Sequence, residues 1–299
     1  MLLAKIAAQN KRYEAAEKFY RLGIQLRRDR AGTLYNELVQ ILFEARKFSD
    51  AVKVLDDAIN EPSLKGNRAV LWYFQTQAQE LAGNTDAALQ AVVEGRKLAP
   101  EGSRLFALID FQEPWIYYHA HQWDKAVPLF EKIIEKKLDA ELVRKAQFSL
   151  SNIHVQKGDI RRGEEILEKV FAEAPDDPSV NNDLGYLYAD QGKNLEQARG
   201  MIEKALKAEP DNAAYQDSMG WVLFKLGKPA EAIPFLEKAV QTPRGGDATI
   251  FDHLGDCQQA LGQKDKASES WQKALKDAKE DKNPDAKLIE KIEAKLKGQ

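Results

Sequence analysis

Three stretches of the chain lie over one another: "NDLGYLYADQGKNLEQARGMIEKALKAEPDN" (182–212), "DSMGWVLFKLGKPAEAIPFLEKAVQ" (217–241) and "DHLGDCQQALGQKDKASESWQKALKDA" (252–278). Each has Leu or Met followed by glycine, and a second glycine seven residues on. An alanine follows after five or six more, with a large apolar residue at +4 from it and another alanine at +7. The first glycines, Gly185, Gly220 and Gly255, are 35 residues apart. Weaker copies run back to the start of the chain, so the second small position recurs at Ala16, Ala51, Ala88, Ala126, Gly163, Ala198, Ala232 and Ala267. The successive spacings lie between 34 and 38. A period of this length held for eight units dictates an array of small stacked elements rather than a globule with one core.

Within each unit the apolar spacing reads as two helices broken at a turn, as at Gly227-Lys228-Pro229. Gly220 sits inside the first helix, where it costs about 1 kcal/mol relative to alanine. Close approach of the two helices, Gly220 facing Ala232, is the expected compensation. No single unit buries its apolar face, so stacking is obligatory and the last unit needs a cap.

This pattern resembles the tetratricopeptide repeat family, strongly over 144–281 and more loosely before it. The resemblance implies an all-α, right-handed superhelical α-solenoid of about eight helix-turn-helix repeats plus a C-terminal capping helix. The units fall near 1–31, 32–68, 69–106, 107–143, 144–177, 178–212, 213–247 and 248–281, with the cap over 282–299. In "KNPDAKLIEKIEAKLKGQ", Asn283 is the expected N-cap and Pro284 the first helical residue, with Leu288, Ile289, Ile292 and Leu296 as the apolar stripe and lysines on the other face. Residue 1 already lies inside its first helix, which leaves that helix truncated. The chain reads as cut from a longer protein, or as starting with an atypical cap. Pro114 occupies a first-helix small position, so the helix there is expected to kink or restart near 113–114.

Composition narrows function by exclusion. No apolar run reaches the 18 or so residues of a membrane span, and "MLLAKIAAQ" lacks the basic start and cleavage site of a signal peptide. Cys257 is the only cysteine, which rules out an intrachain disulfide. His119 and His121 are two apart on a helix and point to different faces, and His121 stands where the family places its turn glycine. There is no phosphate loop, nucleophile elbow or HExxH motif. No catalytic residue, metal ligand or cofactor is assigned, and an enzyme is not expected. "QTPRGGDAT" (241–249) reads as a lengthened loop between repeats. Net charge is −3, but residues 1–50 hold ten Lys/Arg against six Asp/Glu, while 171–260 hold eight against fifteen.

What remains is a surface. In the family the first helices line the concave side of the superhelix, exposing the positions three before, one after and four after the glycine-type residue. Those positions here are Asn36, Gln40 and Phe43; Tyr73, Gln77 and Glu80; Phe111, Trp115 and Tyr118; Phe148, Asn152 and Val155; Asn182, Tyr186 and Ala189; Asp217, Trp221 and Phe224; Asp252, Asp256 and Gln259. Aromatic rings with interleaved Asn and Gln suit a peptide or helix of a protein partner. The aspartates suit a basic segment at the C-terminal half and argue against a carboxylate clamp. The leading expectation is therefore a non-enzymatic protein-interaction scaffold. The alternatives are a nucleic-acid-binding helical repeat, disfavoured by the acidic groove, and an assembly module of a longer chain. Likeness to bacterial repeat proteins implies a soluble protein of the cytoplasm or periplasm.

Overall fold

A computed structural model describes residues 2–242, 247–281 and 284–298. Every regular element among them is helical. The chain divides into two compact units, residues 1–146 and 147–299. The first holds α1 (Leu2–Gln9), α2 (Tyr13–Leu26), α3 (Ala31–Glu44), α4 (Phe48–Asn60), α5 (Arg68–Leu81), α6 (Thr85–Leu98), α7 (Arg104–His119) and α8 (Trp123–Lys136). Helix α9 (Ala140–Gln156) starts in the first unit and ends in the second. The second unit continues with α10 (Ile160–Glu173), α11 (Pro178–Asp190), α12 (Leu195–Ala208), α13 (Ala213–Lys225), α14 (Pro229–Gln241), α15 (Ala248–Ala260), α16 (Lys264–Glu280) and α17 (Ala286–Lys297).

In both units the architecture is a stack of helix pairs. α3 packs on α4 and α13 on α14, and each second helix also touches the first helix of the next pair, as α4 does α5 and α14 does α15. The reason is the spacing of apolar residues. Leu38 and Leu42 of α3 meet Val54 and Leu55 of α4 in one buried cluster, and Val222, Leu223, Leu236 and Ala239 do the same for α13 and α14. Every pair is joined by a turn containing one residue at positive φ: Lys11, Arg46, Gly83 and His121, then Gly158, Gly192, Gly227 and Gly262. His121 is exposed, with φ of 54°, the backbone conformation for which the family's glycine is suited.

The interior glycines are forced by contact. A Cβ on Gly220 would lie 2.5 Å from Cγ of Leu236, and one on Gly185 would lie 2.9 Å from Cγ1 of Ile202. A Cβ on Gly255 would overlap the Trp271 indole. The expected pairing of Gly220 with Ala232 is thus corrected: Leu236, one turn further along α14, is the side chain that needs the space.

Two local expectations are also corrected. Helix α7 runs unbroken from Arg104 to His119 with Pro114 buried inside it, so no restart occurs near Glu113. Arg96 of α6 pairs with both Asp110 and Glu113 at 2.8 Å, clamping the turn that proline deprives of a backbone bond. At the other end, α17 is capped by Asp285, whose Oδ1 accepts from the backbone N–H of Lys287 and Leu288. Pro284 precedes the helix, and Asn283 lies outside the described residues, as do 243–246 of the lengthened loop.

Candidate functional site

The first helices are neighbours within each unit: α5 touches α7, α11 touches α13, and α13 touches α15. The positions singled out from the sequence therefore form rows. Their surroundings differ sharply between the units.

In the second unit the row is closed. Trp221 is only 5% exposed. Its ring stacks on His253 of α15 at 3.9 Å and on Phe224 at 5.2 Å, its Nε1–H donates to Asp190, and the Lys225 ammonium sits 4.8 Å over its face. The expectation that Trp221 keeps an open ring is overturned, because the first helix of the next repeat fills the space in front of it. Asp217 is buried too, accepting from Nδ1 of His253 at 2.9 Å. Asp252, 1% exposed, takes Lys291 at 3.0 Å and Lys295 at 2.6 Å, and Asp256 takes Lys295 at 2.5 Å. The Trp271 indole N–H donates to Asp256. Two lysines of α17 assigned to a solvated face are thus turned inward, supplying the cations that desolvated carboxylates require.

Tyr186 and Asn182 on α11 continue this row. Burial, then Asp217 and Asp190, push the Tyr186 hydroxyl well above its usual pKa. Asn182 is buried and donates to Asp183, whose carboxyl burial raises to about 6. Phe148 is half-buried against the core, and Asn152 is exposed. His253 was not anticipated from the sequence. Its signal is its place directly after Asp252, one residue round the helix from the row and aimed at the repeat before.

In the first unit the row stays more open. Trp115 and Tyr118 stack at 5.6 Å, with His119 edge-on to Trp115 at 4.4 Å, and all three retain exposed surface. Nδ1 of His119 lies 2.6 Å from Oε1 of Glu80, which joins α7 to α5 beside half-buried Tyr73 and Gln77. Burial raises the Tyr73 pKa. Asn36 and Gln40 on α3 are exposed. Two rings depart from expectation: Phe111 is buried against Phe130 at 5.7 Å, and Phe43 packs edge-on to Phe48 at 5.8 Å.

The comparisons with known proteins agree with this architecture. Two family profiles, each described as tetratricopeptide repeat, match the chain: one over residues 154–222, the other over 1–30 and 213–243. No curated protein matches its sequence. Among solved structures it is similar to a tetratricopeptide repeat protein from Parabacteroides merdae, with a TM-score of 0.61 at 15% identity, covering 89% of this chain and 98% of that one. It is also similar to a thermophilic TPR protein from Thermus thermophilus, with a TM-score of 0.51 at 20% identity, covering 64% of this chain and 98% of that one. At such identities these likenesses speak for the fold alone. Helix pairs at a 34–38-residue period, a left-handed turn residue in each, glycines cut to fit the facing helix and the matching profiles together make the chain a member of the tetratricopeptide repeat family.

Proposed function

We propose that the protein is a binding scaffold that holds a peptide or helix of a partner protein on the first-helix row of residues 1–146, centred on Trp115 and Tyr118. Arrays of this family are in general non-catalytic protein-interaction scaffolds. No helix among the described residues is long and apolar enough to cross a membrane. The observation that carries the finer reading is the half-exposed Trp115–Tyr118–His119 stack beside Tyr73 and Gln77. Tyr and Trp contribute large contact area at low entropy cost, and the amide of Gln77 is placed to bond an extended backbone. Asn36, Gln40, Phe148, Asn152, Asn182 and Tyr186 are candidates for the flanks of the same contact. A basic segment was expected opposite Asp217, Asp252 and Asp256, but these already pair with His253, Lys291 and Lys295. A basic partner would have to displace the chain's own cations, which favours the first unit.

The test is affinity capture from the native host with wild type and Trp115→Ala side by side. Trp115→Ala is expected to weaken the captured partner by about 2 kcal/mol while melting stays near wild type. Retention of the partner by Trp115→Ala, with loss in Asn182→Ala, would move the contact to the second unit.

A further inference from the structure

The end of the first unit carries a second surface. Leu3 and Ile6 of α1 are 61% and 43% exposed, and Leu2, Phe19, Leu22 and Leu26 are exposed beside them. Repeat equivalence shows what this face is built to meet. Counted back from the turn residue at positive φ, the positions of Leu3 and Ile6 are Leu38 and Ile41, Leu150 and Ile153, Leu184 and Leu187, Met219 and Val222, and Leu254 and Cys257, all of them buried. The element that covers such positions is a preceding second helix, as α2 covers α3 and α12 covers α13. Leu22 tells the same story. Its equivalents, six residues after the second-helix alanine, are Asp57, which pairs with Arg21 of α2, and Lys204 and Lys238, which reach Asp176 and Asp211 of the repeat before.

Charge specifies the occupant further. The cations opening the second helices elsewhere find a carboxylate on the preceding second helix: Lys47 meets Glu14, and Lys193 meets Glu164. The equivalents at the open face are Arg12 and Lys11, both exposed and with no carboxylate partner among the described residues; Lys18 of α2 is in the same position. A second copy does not fit. Its own α1–α2 face would bring like charges together, and α17 at the opposite end exposes no large apolar side chain among the described residues. We propose that the α1–α2 face docks an amphipathic helix of a partner protein that carries an apolar stripe flanked by Glu or Asp. This site is separate from the Trp115 row, and neither reading depends on the other.

The experiment uses the full chain and, as probe, a capped synthetic peptide of its own α10 sequence, residues 160–174, which bears Glu164 and the apolar residues Leu167 and Val170. Saturable shifts of the Leu3 and Ile6 methyl resonances are expected, weakening with added salt. Ile6→Glu is expected to abolish them without lowering the melting temperature, because that side chain is already exposed. Lys11→Glu with Arg12→Glu is expected to weaken binding roughly tenfold, and the wild-type peptide is expected to outbind its Glu164→Lys, Glu165→Lys version by a similar factor. The proposal is overturned if the peptide leaves these methyls unmoved or if Ile6→Glu binds as well as wild type. Equal binding of the charge-reversed peptide overturns it too. So does finding instead that Ile6→Glu abolishes self-association of the chain or its adsorption to phosphatidylglycerol vesicles, because the occupant is then a second copy or a membrane.

Discussion

Residues 1–146 and 147–299 are built on one plan and use its first-helix row in opposite ways. In the second unit the tight position in the first helix is Gly185, Gly220 or Gly255, each under a large side chain, and the row in front is filled by Trp221 on His253, Asp217 on His253 and Asp252 on two lysines. In the first unit the corresponding positions hold Val39, Thr76 and Pro114, three of the four turns use Lys11, Arg46 and His121 in place of glycine, and the rings of Trp115 and Tyr118 keep exposed surface. The difference teaches that an aromatic residue at a groove position is a binding residue only where the next repeat leaves its face uncovered. Stacked on His253, Trp221 is a fastener between repeats.

The largest expected effect tests that contrast directly. Trp221→Ala removes a buried ring and leaves Asp190 and His253 short of a partner, and should cost about 3–5 kcal/mol of stability. Trp115→Ala should cost no more than about 1 kcal/mol, measured by urea denaturation followed by circular dichroism. Equal losses would erase the distinction between the rows.

An intermediate effect concerns the glycines. Gly220→Ala raises helix propensity by about 1 kcal/mol, yet its methyl would press on Leu236, and a net loss of about 1–3 kcal/mol is expected. In the first unit the sign reverses. His121→Gly relieves a left-handed backbone at φ of 54° and should raise stability by up to about 1 kcal/mol. Calorimetric melting of both variants checks the pair, and a Gly220→Ala protein as stable as wild type would show that α14 gives way.

The smallest effect is in pH. Burial raises the Asp183 carboxyl to about 6 in the folded chain, above its ordinary value. The folded state therefore holds a proton that the unfolded chain has released, and between about pH 4 and 6 this group's contribution to stability falls as pH rises. Asp183→Asn should remove that slope and leave the rest of the profile intact. A wild-type profile parallel to that of Asp183→Asn across this window would mean that the carboxyl is solvated.

The repeat register, the helix boundaries and the left-handed residue at His121 were all legible, because each rests on local spacing that a period of 34–38 residues repeats eight times. The site was legible only in direction. Position along a first helix tells which way Trp221 points, but whether it meets solvent depends on how near α15 comes and on His253, a residue 32 positions away. Lys291 and Lys295 failed for the same reason: a lysine on an amphipathic helix reads as solvated until a buried carboxylate is found opposite it. Asp285 rather than Asn283 was missed because both are good caps and the helix start shifts by two residues between them.

The pairing of Asp252 with the last helix also orders events during synthesis. A chain emerging from the ribosome makes α15 before the residues that neutralise it, since Lys295 follows Asp252 by 43 positions. Through that interval Asp252 has neither lysine, and closing α15 against α16 would bury an unpaired charge. The final repeat is therefore held back until α17 exists, and nascent chains that stop short of it should present themselves to proteases as incomplete.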